Sequence, residues 1–118
     1  MSLDFYDKAG RPIAYTDDGE HIYAFGGRPV AYLSDGSVYA YSGKHLGRFE
    51  SGLIRDNRGG VVLFAEGSSG GPVKPIRQIK PIKGIKQIRP IKGIKQIKPI
   101  KPISSLGWSS ASGPQFFG

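Results

Sequence analysis

The chain of 118 residues contains no cysteine, so it can build no disulfide framework, thiol nucleophile or Cys-based zinc site. His21 and His45 are the only histidines, and neither has a His, Cys or carboxylate partner at a recognised metal-ligand spacing. No apolar run approaches the roughly 18 residues of a membrane span, and the start MSLDFYDKAG lacks the basic and apolar regions of a secretory signal; a cytoplasmic location is the default expectation. Acidic residues stop altogether at Glu66. Up to there, nine acids face seven bases, a net −2; beyond it lie ten bases and no acid, a net +10. Gly and Ser at 67–71 read as a flexible linker between the two parts. The expected organisation is a domain at 1–66, the linker 67–71, a basic tail at 72–104 and a Ser/Gly-rich end with three aromatics at 105–118.

What is present in the head is a fourfold repeat. Superposing Gly10, Gly27, Gly43 and Gly59 puts Ile13, Val30, Leu46 and Val62 in one column and Phe5, Ile22, Val38 and Ile54 in another. Tyr6, Tyr23, Tyr39 and Arg55 form a third column, and Tyr15, Tyr32, Arg48 and Phe64 a fourth. Each unit is two β-branched and aromatic runs around a glycine turn, closed by Asp18-Gly19, Asp35-Gly36 or Ser51-Gly52 in the first three copies. These are hairpin signals, because glycine supplies the positive φ of a tight turn. Pro12 and Pro29 open their second strands where no ladder donor is needed, and His45 fills that slot in the third copy. A lone hairpin is marginal in water, so the four must share a core, most simply around a pseudo-fourfold axis. The expected fold is all-β: a small domain of four hairpin repeats with an extended, polyproline-II-like tail.

The runs Asp4-Phe5-Tyr6-Asp7, Gly10-Arg11-Pro12-Ile13-Ala14-Tyr15, Pro29-Val30-Ala31-Tyr32-Leu33 and Gly43-Lys44-His45-Leu46-Gly47-Arg48-Phe49 resemble the four-fold β-flower domain family over about residues 3–66. The resemblance implies the fold and no activity, and implies that a basic, proline-containing tail ending near Trp108-Ser109 accompanies the domain.

The tail from Pro72 divides into eleven triplets. Val73, Ile76, Ile79, Ile82, Ile85, Ile88, Ile91, Ile94, Ile97, Ile100 and Ile103 are central; Lys74, Arg77, Lys80, Lys83, Lys86, Arg89, Lys92, Lys95, Lys98 and Lys101 come third; Pro, Gln or Gly come first. Period three excludes an amphipathic strand, and the prolines break an α-helix. Polyproline II has three residues per turn and needs no internal hydrogen bonds, giving one aliphatic and one cationic ridge. Collagen is excluded because only two triplets carry Gly. A disordered, self-repelling linker is the alternative.

Three uses of this tail stay open: docking on its own head, homo-oligomer assembly through the aliphatic ridge, or binding of nucleic acid or anionic lipid by its ten cations. A dock on the head could use Asp17, Asp18, Glu20 or Asp35, but exposed pairs are worth about 0–1 kcal/mol each, so burial of the isoleucines is expected to dominate. Trp108, Phe116 and Phe117 are the expected docking anchors. No cofactor, metal or small-molecule substrate is called for: Asp17-Asp18 belongs to a turn, and the Gly-Gly pairs at 26–27 and 59–60 follow no strand-to-helix pattern. The sequence reads as a non-enzymatic binding or assembly module.

Overall fold

Four equivalent turns organise the chain in the computed structural model, which describes residues 2–117. Gly10, Gly27, Gly43 and Gly59 all take positive φ, between 82° and 104°, and each donates its N–H to the carbonyl three residues earlier, on Asp7, Ala24, Ala40 and Asp56. The turns join β1 (Leu3–Tyr6) to β2 (Pro12–Thr16), β3 (His21–Ala24) to β4 (Pro29–Ser34), β5 (Ser37–Tyr39) to β6 (His45–Glu50), and β7 (Leu53–Asp56) to β8 (Val61–Ala65). All neighbours are antiparallel and β8 closes onto β1, so the eight strands form a barrel without an exposed edge. The hairpin repeats and their fourfold arrangement are thus as the sequence implied.

Each hairpin carries one bulge at the same place, after Phe5, Ile22, Val38 and Ile54. The skipped residues opposite are Ile13, Val30, Leu46 and Val62. A bulge breaks the in–out alternation, which lets these residues and the next ones along the strand both face the interior. Inside, large meets small across the first three hairpins, Phe5 opposite Ala14, Ile22 opposite Ala31 and Val38 opposite Gly47, whereas two large residues, Ile54 and Leu63, meet in the fourth. Phe5, Ile22, Val38 and Ile54 are completely buried.

The outer wall is built between repeats. Tyr15 stands opposite Tyr23, Tyr32 opposite Tyr39 and Tyr6 opposite Phe64, and at the fourth seam Arg48 stands opposite Arg55. Turn residues that are not glycine also adopt positive φ where two-residue loops need it, at Asp35 (50°) and Ser51 (54°).

From Val73 to Ser104 the chain has neither helix nor strand. The end returns to the barrel: Trp108 bridges to Val61, and a short helix α1 (Gly113–Phe117) inserts Phe116 into the barrel core, where Gly47 leaves it room. Among the described residues, no helix is long and apolar enough to cross a membrane.

Candidate functional site

The tail encircles the barrel as a belt, in register with the four repeats. Gln78 donates its backbone N–H to the Gly10 carbonyl, Gln87 to Gly27, Gln96 to Gly43 and Ser105 to Gly59, at 2.8–3.0 Å. The donors are spaced by nine residues and the acceptors by 16 or 17, so three triplets of tail answer one hairpin of head. A Cβ on any of the four turn glycines would fall on a belt carbonyl, those of Ile76, Ile85, Ile94 and Ile103. Conversely, Gly84 and Gly93 donate to the carbonyls of Phe25 and Tyr41, and a Cβ there would fall on the Gly26 and Ser42 carbonyls. At the matching steps of the first and fourth units stand Pro75 and Pro102, which have no N–H to offer.

Two of the three ridges therefore face the head. The first-position residues meet the turns: Gln78 Nε2 donates to the Ala9 carbonyl, and Gln96 Oε1 accepts the N–H of His45, the donor that exists there because His45 replaces the repeat's proline. The cationic ridge faces the outer wall. Lys80 pairs with Asp4 (2.8 Å), Lys83 and Lys86 with Asp17 (3.3 and 2.7 Å), Lys92 with Glu20 (2.9 Å), Lys101 with Glu50 (2.8 Å) and Arg77 with Glu66 (3.1 Å). Lys95 donates to Ser34 Oγ, Lys98 to the Asp35 carbonyl and Arg89 to the Tyr23 hydroxyl. The cations also lie over the aromatic seams, with Lys83 Nζ 4.2 Å from the Tyr15 ring centre and Lys92 Nζ 4.4 Å from that of Tyr32. At the arginine seam the roles reverse: Arg48 donates to the Pro99 carbonyl, and Arg55 to those of Gly59 and Ser105. Among the described residues Lys74, at the start of the tail, reaches only the Gly70 carbonyl.

These contacts move the titrations. Hydrogen bonds from Lys86, Lys92 and Lys101 hold the carboxyls of Asp17, Glu20 and Glu50 below their ordinary range. Although its burial pushes the other way, Asp18 is also held low, by hydrogen bonds from the His21 side chain and from the backbone of His21 and Glu20. Burial pushes the Tyr41 hydroxyl up to about 12.

The aliphatic ridge is turned fully outward. All eleven residues from Val73 to Ile103 are between 91% and 97% exposed. This corrects the expectation that isoleucine burial would drive a dock on the head: the backbone and the cations face the barrel. Nine of the ten candidate polyanion-binding cations, all but Lys74, are engaged with the head, their side chains half-exposed where they pair with acids. Of the expected anchors, Trp108 packs on Phe64 with ring centres 6.0 Å apart, Phe116 is buried in the core and Phe117 packs against it. Asp4, Glu50 and Glu66 also receive belt cations, and sequence reasoning did not single them out. The nine-residue step was missed too, though Gln78, Gln87 and Gln96 carry it beside Gly84 and Gly93.

The histidines hold the frame. His45, 2% exposed, sits 3.0 Å by Nε2 from Ser37 Oγ, and its Nδ1 has no partner among the described residues. Burial, with Arg48 and Lys98 nearby, depresses its pKa. His21 has carboxylate neighbours within its own tight loop, Asp18 at 2.7 Å and the adjoining Glu20 at 3.3 Å.

No curated protein and no solved structure matches the chain. It does match the family described as 4-fold beta flower protein, over residues 3–117, so that the family pattern takes in the belt and α1 as well as the 3–66 stretch that carried the resemblance. No enzymatic role is known for that family. Four bulged hairpins closed around one axis, and a match across nearly the whole chain, place this protein in the 4-fold beta flower protein family.

Proposed function

We propose that the chain is a non-enzymatic binding module whose tail is a docked stem: a belt that spends its backbone and cations on the barrel and offers its aliphatic residues to a partner. The observation that carries this reading is the outward ring of eleven aliphatic side chains, each more than nine-tenths exposed. Exposed apolar surface organised over such a length marks an interaction site. A belt in polyproline-II conformation also suits the dimensions. Ile76 and Ile103 lie on the first and fourth turns, 27 residues apart. At about 3.1 Å per residue that run covers roughly 84 Å, or three quarters of a circle roughly 36 Å across. The extents of the molecule are 36 × 35 × 24 Å. Against a catalytic reading, the Ser37–His45 pair is buried, and no acid orients His45 Nδ1 among the described residues.

Trypsin tests the docked stem. Five tail bonds are followed by proline and resist cleavage in any conformation, but those after Arg77, Lys83, Lys86, Lys92 and Lys95 are cleavable if the tail is free. Docking predicts that these five survive at least as long as the bonds of the barrel turns. Rapid release of the tail from an intact barrel would refute the reading.

A further inference from the structure

The four turns that carry the belt also carry a crown of positive charge. Strand alternation in the closed barrel puts all four at one end. They hold Lys8, Arg11, Arg28, Lys44 and Arg58, all exposed. Lys8, Arg28, Lys44 and Arg58 make no ion pair among the described residues, whereas most of the tail cations do. The only acids in these turns are consumed: Asp7 is buried and accepts from the N–H groups of Ala9 and Arg11 and from Arg11 Nε, and Asp56 accepts from those of Arg58 and Gly60 and from Ser109 Oγ. Asp17, Asp18, Glu20 and Asp35 lie in the loops at the opposite end. The belt crosses this cationic end at Ile76, Ile85, Ile94 and Ile103, whose carbonyls rest on the turn glycines.

We propose that this end is a docking face for an anionic lipid bilayer, with the turn cations meeting headgroups and the isoleucine ring entering the interfacial layer around them. The proposal rests on the belt reading above and names the partner. Shape and charge choose it. The ring runs round the convex rim of a disc, where a rigid globular partner covers only an arc, and a fluid interface can cover the whole of it. A second copy stacked end to end would set five cations against five. A nucleic acid would satisfy the crown and leave the isoleucines in water, whereas aliphatic side chains beside basic ones are the pattern that holds a protein on a bilayer surface.

The test is cosedimentation of the full chain with vesicles of phosphatidylcholine alone, or with about a third of the lipid replaced by phosphatidylserine. Two triple variants accompany it, Arg28→Gln with Lys44→Gln and Arg58→Gln, and Ile76→Ser with Ile85→Ser and Ile94→Ser. All six side chains are exposed, and a thermal melt of each variant verifies its fold. The expected result is binding to anionic vesicles only, weakened on the order of 100-fold by the charge variant and at least about tenfold by the isoleucine variant. Absence of binding to anionic vesicles, with the belt still protected from trypsin, would overturn this proposal and spare the belt. Binding insensitive to the isoleucine variant, and matched on duplex DNA, would assign the crown to nucleic acid instead. A concentration-dependent rise in mass that the isoleucine variant abolishes, without vesicle binding, would assign the ring to a second copy.

Discussion

At each hairpin turn a glycine Cα lies beneath a belt carbonyl, and at two belt positions the relation is inverted, with the belt supplying the glycine and the turn the carbonyl. Such backbone-on-backbone approach leaves no volume for a methyl group. Gly93→Ala would drive a Cβ onto the Ser42 carbonyl and break the bond from Gly93 N–H to Tyr41. The expected cost is about 1–2 kcal/mol, read as a fall in Tm of at least about 4 °C. Gly26→Ala is the neighbouring control: its Cβ would meet open space, and the melt should not move. His45 supplies a pH dependence. Its folded pKa lies below the ordinary 6.5 because burial disfavours the charged form. The unfolded chain therefore takes up the proton first as pH falls, and stability, complete above about 6.5, declines from there down to the depressed folded value. The carboxyls of Asp17, Glu20 and Glu50, held low by belt lysines, add a second decline below about 4. Urea titrations of the native chain and of His45→Gln across pH 7 to 3 should show the first decline only in the native chain.

Each hairpin presents one turn, and each nine-residue length of belt presents one set of bonds to it, so the belt is a ruler as well as a strap. Deleting the triplet Gln87-Ile88-Arg89 preserves every feature of the three-residue pattern and still throws Gly93, Gln96 and Ser105 out of step with turns three and four. The expected result is detachment of the belt downstream of the deletion, reported by Trp108, the only tryptophan, whose emission should shift to the red as its packing on Phe64 is lost. Unaltered emission would mean that the triplet, and not the nine-residue step, governs the fit. The hairpins were legible because their determinants are local: glycines at positive φ, strand-opening prolines and an apolar column five residues before each turn. The bulges were not legible, since Ile13 and Ala14 read as alternating in and out and only the closed barrel shows both directed inward. The direction of the tail was misjudged for a different reason. Isoleucine was weighed as the source of docking energy, and the free carbonyls of the turns and the aromatic faces of Tyr15 and Tyr32 appear only once the barrel exists. Phe116 was legible as an aromatic anchor on the head, but its place inside the barrel core was not, because the space it fills is made by Gly47, far away in sequence.

The molecule as a whole is a closed barrel with segregated surfaces: acids at one end, cations at the other, and an aliphatic ring carried round the rim by the belt. That arrangement accounts for the sequence asymmetry of −2 against +10, because the tail neutralises the acidic loops and leaves the basic turns uncovered. Belt and α1 both pack on the barrel, and the family match over residues 3–117 spans all three. The central claim is that the belt is fastened to all four turns by backbone hydrogen bonds, and amide hydrogen exchange resolved by residue tests it most directly. The amides of Gln78, Gly84, Gln87, Gly93, Gln96 and Ser105 should be protected together, with exchange slower by a factor on the order of 100 or more than in an unstructured chain. Protection should persist at high salt, because the bonds are main-chain and only the lysine pairs are screened. Exchange of these six amides at the unstructured rate, with the barrel strands still protected, would contradict the account.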